Sequence, residues 1–281
     1  MTIVADSGST KTTWMEVDSG NKIVTEGLNP HFTNDEQFLA TCDDVRQHIL
    51  HSPLSALHFY GAGCGNKMQK ERVKELLQNA FNTEKVDVET DMLGACRAVC
   101  GDRPGLVGIL GTGSNACYYD GRKIEYSSVS TGYILGDEGS ANYVGRRLLQ
   151  DYLTGIMSKP VNAMFHEAYP LSKEEFMDAV YHQPHPNRFL ASLAPFALEH
   201  IDEQYCSMVI TTSLIDWSNY QLEDLREQTL CGDLYIVGGF ASRIKRGLLE
   251  RFAQDHDLVI RKIIADPIDG LREYHKKHNT I

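Results

Sequence analysis

Asp6-Ser7-Gly8-Ser9-Thr10-Lys11-Thr12 follows a short β-rich run, Ile3-Val4-Ala5, and leads into a second run with strand propensity, Thr12 to Val17. It has the small residues and the lysine of a phosphate-binding loop. Yet it departs from GxxxxGK[ST], and a strand rather than a helix comes after it. Asp18-Ser19-Gly20-Asn21 then reads as a hairpin turn, and Lys22 to Glu26 as a third strand. The chain therefore opens on three antiparallel strands with a glycine-containing turn between the first two. This places a phosphate-type loop between two strands, where a helix would normally follow it.

Working outward, the next periodicities alternate. Asn34-Asp35-Glu36 starts a helix whose apolar face is Phe38, Leu39, Cys42, Val45 and Ile49. A strand (56–60), a helix (68–81), a strand (85–89) and a helix (92–99) come next, giving the order β-β-β-α-β-α-β-α. After Pro104-Gly105 the layout restarts: strand 106–110, the turn Gly111-Thr112-Gly113-Ser114, strand 116–119, a hairpin at Asp120-Gly121, and strand 123–127. The halves are hardly alike in sequence, so this is a duplication of topology. Residues 139–230 read as mostly helical. Strand 234–237 ends in Gly238-Gly239, and helix 242–253, strand 258–264 and helix 269–277 close the chain. The alternation argues for an α/β protein of two lobes, 1–104 and 105–267, with the segment 268–281 packing back on the first.

The bulk numbers suit this reading. At 281 residues, 42% apolar and 23% charged, the chain is an ordinary globular sequence with room for two lobes. A net charge of −11 argues against a nucleic-acid surface. It leaves local anion binding open, because a few backbone N–H groups suffice. No signal peptide and no transmembrane run are recognisable. Seven scattered cysteines are expected to be reduced thiols in the cytoplasm.

Four glycine turns come after strand-like runs, at 6–11, 61–65, 111–115 and 238–242, and Gly136-Asp137-Glu138-Gly139-Ser140 opens a helix. Each alone is ordinary strand punctuation. In order and together, Asp-x-Gly-x-Thr-Lys-Thr, Gly-Thr-Gly-Ser and Gly-Gly-x-Ala-Ser resemble the actin-like ATPase superfamily. Within it, Gly111 to Asn115 with Gly136 to Ser140 beyond it, and Thr90-Asp91 before a small-residue helix, resembles the N-acetylglucosamine kinase and BadF/BadG ATPase family. The resemblance implies an α/β fold of two actin-like (ribonuclease H-like) lobes with a nucleotide cleft between them. It also implies ATP and Mg²⁺ as cofactors and an amino sugar, N-acetylglucosamine foremost, phosphorylated to the 6-phosphate. A small-molecule sugar is then the expected partner, with no nucleic acid and no membrane, and with a homodimer left open.

The same resemblance implies roles. Asp6 would act near Mg²⁺ through its waters. Gly8, Ser9, Thr10, Lys11 and Thr12 would hold phosphates from one lobe, and Thr112, Gly113 and Ser114 from the other. Gly238, Gly239 and Ala241 would lie against adenosine. Asp91 would be the base that takes the sugar hydroxyl proton. Asn29, Ser114, Asn115, Gly132, Tyr133 and Asp137 would bind the sugar, with Tyr133 standing where mammalian N-acetylglucosamine kinases carry tryptophan.

Plainer roles stand beside these. Asp91 could cap the helix from Met92, Asp137 the helix from Gly139, Asn29 could only form a turn, and Lys11 could be an exposed strand lysine. A second function in the same superfamily is the ATPase activator of a 2-hydroxyacyl-CoA dehydratase or benzoyl-CoA reductase. Its shared iron–sulfur cluster would draw on cysteines such as Cys64, Cys96, Cys100 and Cys117. Gly-Thr-Gly-Ser at the second turn favours the kinase.

Overall fold

The structure, a computed structural model, describes residues 1–49 and 51–278. In chain order its first elements are β1 (Thr2–Ser7), β2 (Lys11–Glu16), β3 (Lys22–Glu26), α1 (Asp35–Ile49), β4 (Ala56–Gly61), α2 (Lys67–Phe81), β5 (Val86–Thr90) and α3 (Asp91–Cys100). Next are β6 (Gly105–Leu110), β7 (Ser114–Tyr119), β8 (Ile124–Ser127), α4 (Gly132–Leu135), α5 (Ala141–Thr154), α6 (Lys159–Ala168), α7 (Lys173–Tyr181), α8 (Pro186–Leu193), α9 (Pro195–Glu199) and α10 (Gln204–Trp217). After a π-helical turn at Ser218–Leu222 come α11 (Glu223–Thr229), β9 (Asp233–Val237), a 3₁₀ turn at Ala241–Arg243, α12 (Arg246–Asp255), β10 (Val259–Ile264) and α13 (Ile268–His278).

The chain divides into two compact units. Unit 1 holds Met1–Arg103, Gly121–Lys123 and the segment from Asp266 onward; unit 2 holds Pro104–Asp120 and Ile124–Ala265. Of the 268–281 segment, residues 279–281 lie outside the described residues.

Unit 1 is built on the sheet β3-β2-β1-β4-β5, antiparallel on the β1–β2–β3 side and parallel on the β1–β4–β5 side. Its central strand has Ile3, Val4 and Ala5 buried in succession, the pattern of a strand covered on both faces. One face carries α1 and α2, whose Phe38, Val45, Val73 and Leu77 join Trp14 and Phe59 in a single core. On the other side α13 packs along α3 and reaches β1 and β2. Arg272 of α13 donates to the Val17 and Asp18 carbonyls at 2.8 and 2.9 Å, tying the closing helix to the first hairpin.

Unit 2 repeats the plan. Its sheet order is β10-β9-β6-β7-β8, with β6–β7 and β7–β8 antiparallel and β6–β9 and β9–β10 parallel. The two sheets therefore share one topology. Leu106, Leu110, Val144, Leu148, Phe165, Phe196, Trp217 and Ile236 fill a core between this sheet and the helices 141–229. Among the described residues no helix is long and apolar enough to cross a membrane. All seven cysteines are free and six of them are buried.

The structure sets aside two of the plainer capping roles and departs from the sequence reading in three further places. Thr90, not Asp91, caps α3: its Oγ1 accepts from the Leu93 N–H at 3.2 Å, which leaves Asp91 as the first helical residue. Ser140, not Asp137, caps α5, for the same reason at Tyr143 N–H. The helix expected from Ser242 starts at Arg246, because Ile244 runs extended into the core after the short 3₁₀ turn. Within the mostly helical 139–230 a π-turn at 218–222 interrupts the regular helix, and the four-residue α4 was not signalled at all.

Candidate active site

In unit 1 the stretch 6–12 forms a tight turn in which the Gly8 N–H donates to the Lys11 carbonyl at 2.9 Å. Ser7 and Thr12 face inward: their hydroxyls are 2.8 Å apart, and the Leu28 N–H donates to both. Thr12 thus shapes the turn from beneath rather than lining it. Gly27 lets the corner after β3 lie against this turn, since a Cβ there would stand 2.5 Å from the Gly8 oxygen. Asn29 comes two residues later and is buried. Its Nδ2 donates to Ser9 Oγ at 3.3 Å, and its Oδ1 accepts from the His31 N–H.

Three carboxylates gather at this end of the unit 1 sheet. Asp6 lies near the end of β1, Asp91 opens α3 directly after β5, and Asp266 sits in the connection from β10 to α13. Burial, then Asp266, then Asp91 push the Asp6 carboxyl up to about 8, and Lys11 opposes them only partly. Burial also raises Asp91, against the 2.9 Å bond its Oδ1 accepts from the Met92 N–H. Lys11 is half in solvent and ion-paired with Asp266 at 2.5 Å. Sequence reasoning missed Asp266, whose one signal is an Asp-Pro step before the last helix. Its Oδ1 accepts from the Ile268 N–H at 3.1 Å and so helps to start α13.

This donor set suits a hard divalent cation, which would relieve the like charges that raise Asp6. No group of three or more His, Cys, Asp or Glu among the described residues could hold an ion by itself. A cation there would complete its shell with water and phosphate oxygen, as Mg²⁺ beside a nucleotide does.

In unit 2 the turn 111–113 is stitched to the start of α5. The Ala141 N–H donates to the Gly111 carbonyl at 2.9 Å, and the Asn142 N–H and Nδ2 donate to the Thr112 carbonyl at 3.0 and 2.7 Å. Asp137 has φ +60°, a left-handed conformation that aspartate tolerates better than most non-glycine residues. Its carboxylate accepts from the Ser114 N–H at 3.2 Å and from Asn142 Nδ2 at 2.8 Å. Burial raises its pKa, and the Asn142 bond counteracts this. Asn115 Oδ1 accepts from the Ala116 N–H and from Ser128 Oγ at 2.9 and 3.1 Å.

Gly132 and Tyr133 lie in α4, where Arg146 donates to the Tyr133 and Ile134 carbonyls at 2.7 Å. Gly238 ends β9 with φ +143°, and any Cβ would run into the Leu110 carbonyl; Gly239 is exposed, and Ala241 is fully buried in the core. In unit 1 Asp6, Asp91 and Lys11 come together, and Asn29 reaches Ser9; in unit 2 Asp137 lies against Gly113 and Ser114, and Gly238 against Gly111. Asn142, Glu138 and Gln221 were not foreseen: Asn142 had only its place on a buried helix face as a signal, and Gln221 had none.

No family model matches the chain, and no curated protein sequence does. Solved structures do. A candidate N-acetylglucosamine kinase of Porphyromonas gingivalis is 32% identical, with a TM-score of 0.92 over the whole of both chains. A second candidate N-acetylglucosamine kinase, from Chromobacterium violaceum, is 19% identical over 97% of this chain and 98% of its own, with a TM-score of 0.73. A ROK-family glucokinase of Streptomyces griseus, solved with glucose and AMPPNP, shares the fold at 14% identity and a TM-score of 0.55 over 98% and 99% of the two chains. The doubled sheet order, the paired glycine turns and a full-length likeness at 32% identity agree: this chain belongs to the N-acetylglucosamine kinase family of actin-like sugar kinases.

Proposed function

We propose that the protein transfers the terminal phosphoryl group of ATP to a hydroxyl of an N-acetylated amino sugar, converting N-acetylglucosamine to its 6-phosphate, with Asp91 as general base. The observation that carries the reading is the placement of Asp91. It is the first residue of a helix whose cap is supplied by Thr90, so beyond the bond that Oδ1 accepts from the Met92 N–H its carboxylate keeps acceptor capacity for a substrate proton. Burial raises its affinity for a proton, which is what a base accepting from a sugar hydroxyl requires. Phosphoryl transfer asks little covalent chemistry of the protein, so the remaining residues position and neutralise.

In unit 1, Asp6 would orient the waters of a Mg²⁺ ion, and the turn from Gly8 to Thr10 would face the phosphates. Bound Mg²⁺ would offset charge on the transferred group. Lys11, engaged by Asp266, is given a supporting role. In unit 2, Thr112 and Gly113 would contact phosphate oxygens. Gly238 and Gly239, backed by the buried Ala241, would face the adenosine. Asn29 from unit 1, and Ser114, Asn115, Asp137, Gly132 and Tyr133 from unit 2, would hold the sugar. Asp137, already fixed by Ser114 and Asn142, is rigid enough to read a hydroxyl pattern.

The test is ADP release in the presence of Mg²⁺ and ATP across hexoses, N-acetylhexosamines and muramic acid derivatives. Stimulation is expected to be strongest with N-acetylglucosamine. If no sugar in the panel raises ADP release above the rate without sugar, the kinase reading fails. Stimulation by an unacetylated hexose alone would remove the amino-sugar assignment and keep the rest.

A further inference from the structure

The π-turn at Ser218–Leu222 stands where one regular helix would otherwise have run from α10 into α11. A wider turn takes up one extra residue and rotates the next helical segment by about 100°, and such turns concentrate at functional sites. Trp217, just before it, is fully buried and packs so closely on β6 that a Cβ at Gly108 would run into its ring. A Cβ at Gly139 would be 2.8 Å from its Cβ. The π-turn is thereby pinned beneath the glycine turn of unit 2 and packs on β7.

Ser218, Gln221 and Leu222 of the turn are buried, and Gln221 is only 5% exposed. Gln221 Nε2 donates to Ser114 Oγ at 2.9 Å and to Glu138 Oε2 at 3.0 Å. Glu138 and Ser114 are themselves 9% and 7% exposed. The amide cannot be turned over: that would set its oxygen against the Glu138 carboxylate, two acceptors in contact. Held this way, Gln221 Oε1 is buried without a hydrogen-bond partner among the described residues. An orphaned acceptor is a cost that a merely space-filling glutamine would have no reason to carry.

We propose that Glu138 and Gln221 are positioning residues that set the polarity of the Ser114 hydroxyl. Glu138 orients the Gln221 amide, and the amide occupies Ser114 Oγ as a donor. The Ser114 O–H is then committed to donate to an acceptor oxygen of the substrates, a sugar oxygen or a phosphoryl oxygen. This rests on the kinase reading for the identity of the substrates, but the polarity itself comes from the three side chains.

Exchanging the two residues tests it. Gln221→Glu alone sets two carboxylates together and is expected to lower Tm, whereas Glu138→Gln alone still offers Gln221 Nε2 an amide oxygen and should change Tm less. The double variant, Gln221→Glu with Glu138→Gln, rebuilds one donor–acceptor pair and should return Tm to near the wild-type value. The new carboxylate at position 221 can only accept, so the Ser114 proton is drawn inward. Affinity, measured by calorimetry separately with N-acetylglucosamine and with a non-hydrolysable ATP analogue, should stay about tenfold or more below wild type for one of the two.

A loss confined to the sugar identifies the acceptor as a sugar oxygen, and a loss confined to the analogue as a phosphoryl oxygen. A double variant that recovers both affinities along with its Tm, or a Gln221→Leu variant that binds both ligands like wild type, overturns the proposal. A wild-type protein that binds no sugar counts against the amino-sugar reading, and the analogue arm still decides the relay.

Discussion

Unit 1 and unit 2 carry sheets of the same order, but the turns after their first strands differ in charge. With Gly8 set against Gly111, Asp6 of unit 1 corresponds to Ile109 of unit 2, and the hydrogen-bonded Ser7 to the apolar Leu110. The unit 1 turn therefore lies among carboxylates, Asp6, Asp91 and Asp266, and the last two raise Asp6 against the partial opposition of Lys11. The unit 2 turn lies among amides and hydroxyls, and its nearby carboxylates are already satisfied: Asp137 by Ser114 and Asn142, Glu138 by Gln221. A shared frame has been given two chemistries. Under the proposed roles, proton and cation handling would fall to unit 1 and oriented hydrogen bonding to unit 2.

The sharpest way to break this division is Asp91→Asn. It removes the proposed base from unit 1 while keeping its shape, and phosphoryl transfer should fall ~10²-fold or more. Binding of a non-hydrolysable ATP analogue should stay close to wild type. Initial-rate ADP release and calorimetry read the two quantities. A variant with full turnover would mean that Asp91 is structural and that the acid–base chemistry has been placed in the wrong unit.

The corresponding change in unit 2 should act on folding instead. Gly238→Ala forces a side chain into a φ of +143° and against the Leu110 carbonyl, with an expected loss on the order of 3 kcal/mol. Gly27→Ala in unit 1 meets the Gly8 oxygen at 2.5 Å without an unusual φ, so a smaller loss of about 1–2 kcal/mol is expected. Its main effect should be weaker nucleotide binding, because the turn from Gly8 must shift. Urea denaturation of both variants checks the order. Equal losses would show that close approach, not backbone strain, governs both sites.

A further contrast lies in pH. Unit 1 buries a neutral histidine in α13: Arg97 donates to the Tyr60 oxygen at 2.7 Å, so the Tyr60 O–H donates to His275 Nε2 at 2.8 Å. That nitrogen must accept, and the ring must stay uncharged. Burial first, then His58 and Arg97, lower the His275 pKa from 6.5 to about 3, while Asp87 acts the other way. Because the folded pKa lies below the unfolded one, the unfolded chain binds more protons between these values. The contribution is complete above pH 6.5 and is lost progressively as pH falls toward 3. His275→Gln keeps an acceptor for Tyr60, so its Tm should fall less steeply than wild type between about pH 7 and pH 5. Parallel slopes would locate the acid sensitivity elsewhere.

Much of this was legible in the sequence because strand alternation, hairpin turns and helix faces are local patterns. The restart after Pro104-Gly105 revealed the repeated layout, and the resemblance carried Asp91 and Asp137. The features that escaped are decided by partners distant in the chain. Asp266 matters through Asp6 and Lys11, more than 250 positions away. Gln221 reaches Ser114 only because a π-turn rotates it inward, and nothing in Ser218-Asn219-Tyr220-Gln221-Leu222 announces that turn. The capping alternatives at Asp91 and Asp137 failed for a related reason. A neighbouring threonine or serine could take the cap, leaving the carboxylate for other work.

Lys11 offers the smallest expected effect and the finest test of the comparison. It is the residue that makes the opening stretch look like a nucleotide loop, yet it is half-exposed and its ammonium is 2.5 Å from Asp266. A surface ion pair of this kind is worth about 0–1 kcal/mol, so Lys11→Met should change stability by no more than that. Unit 2 has no lysine at its own turn, which supports a grip on phosphate that does not need one. The variant should accordingly raise the KM for ATP by about threefold or less, the effect of losing one screened charge near the carboxylates. A tenfold rise would be about 1.4 kcal/mol of binding, more than such a pair supplies. It would mean that the ammonium leaves Asp266 for the phosphates when nucleotide arrives. Asp266→Asn then separates the cases: if the aspartate only parks the lysine, freeing it should tighten ATP in the presence of Lys11 and have no such effect beside Lys11→Met.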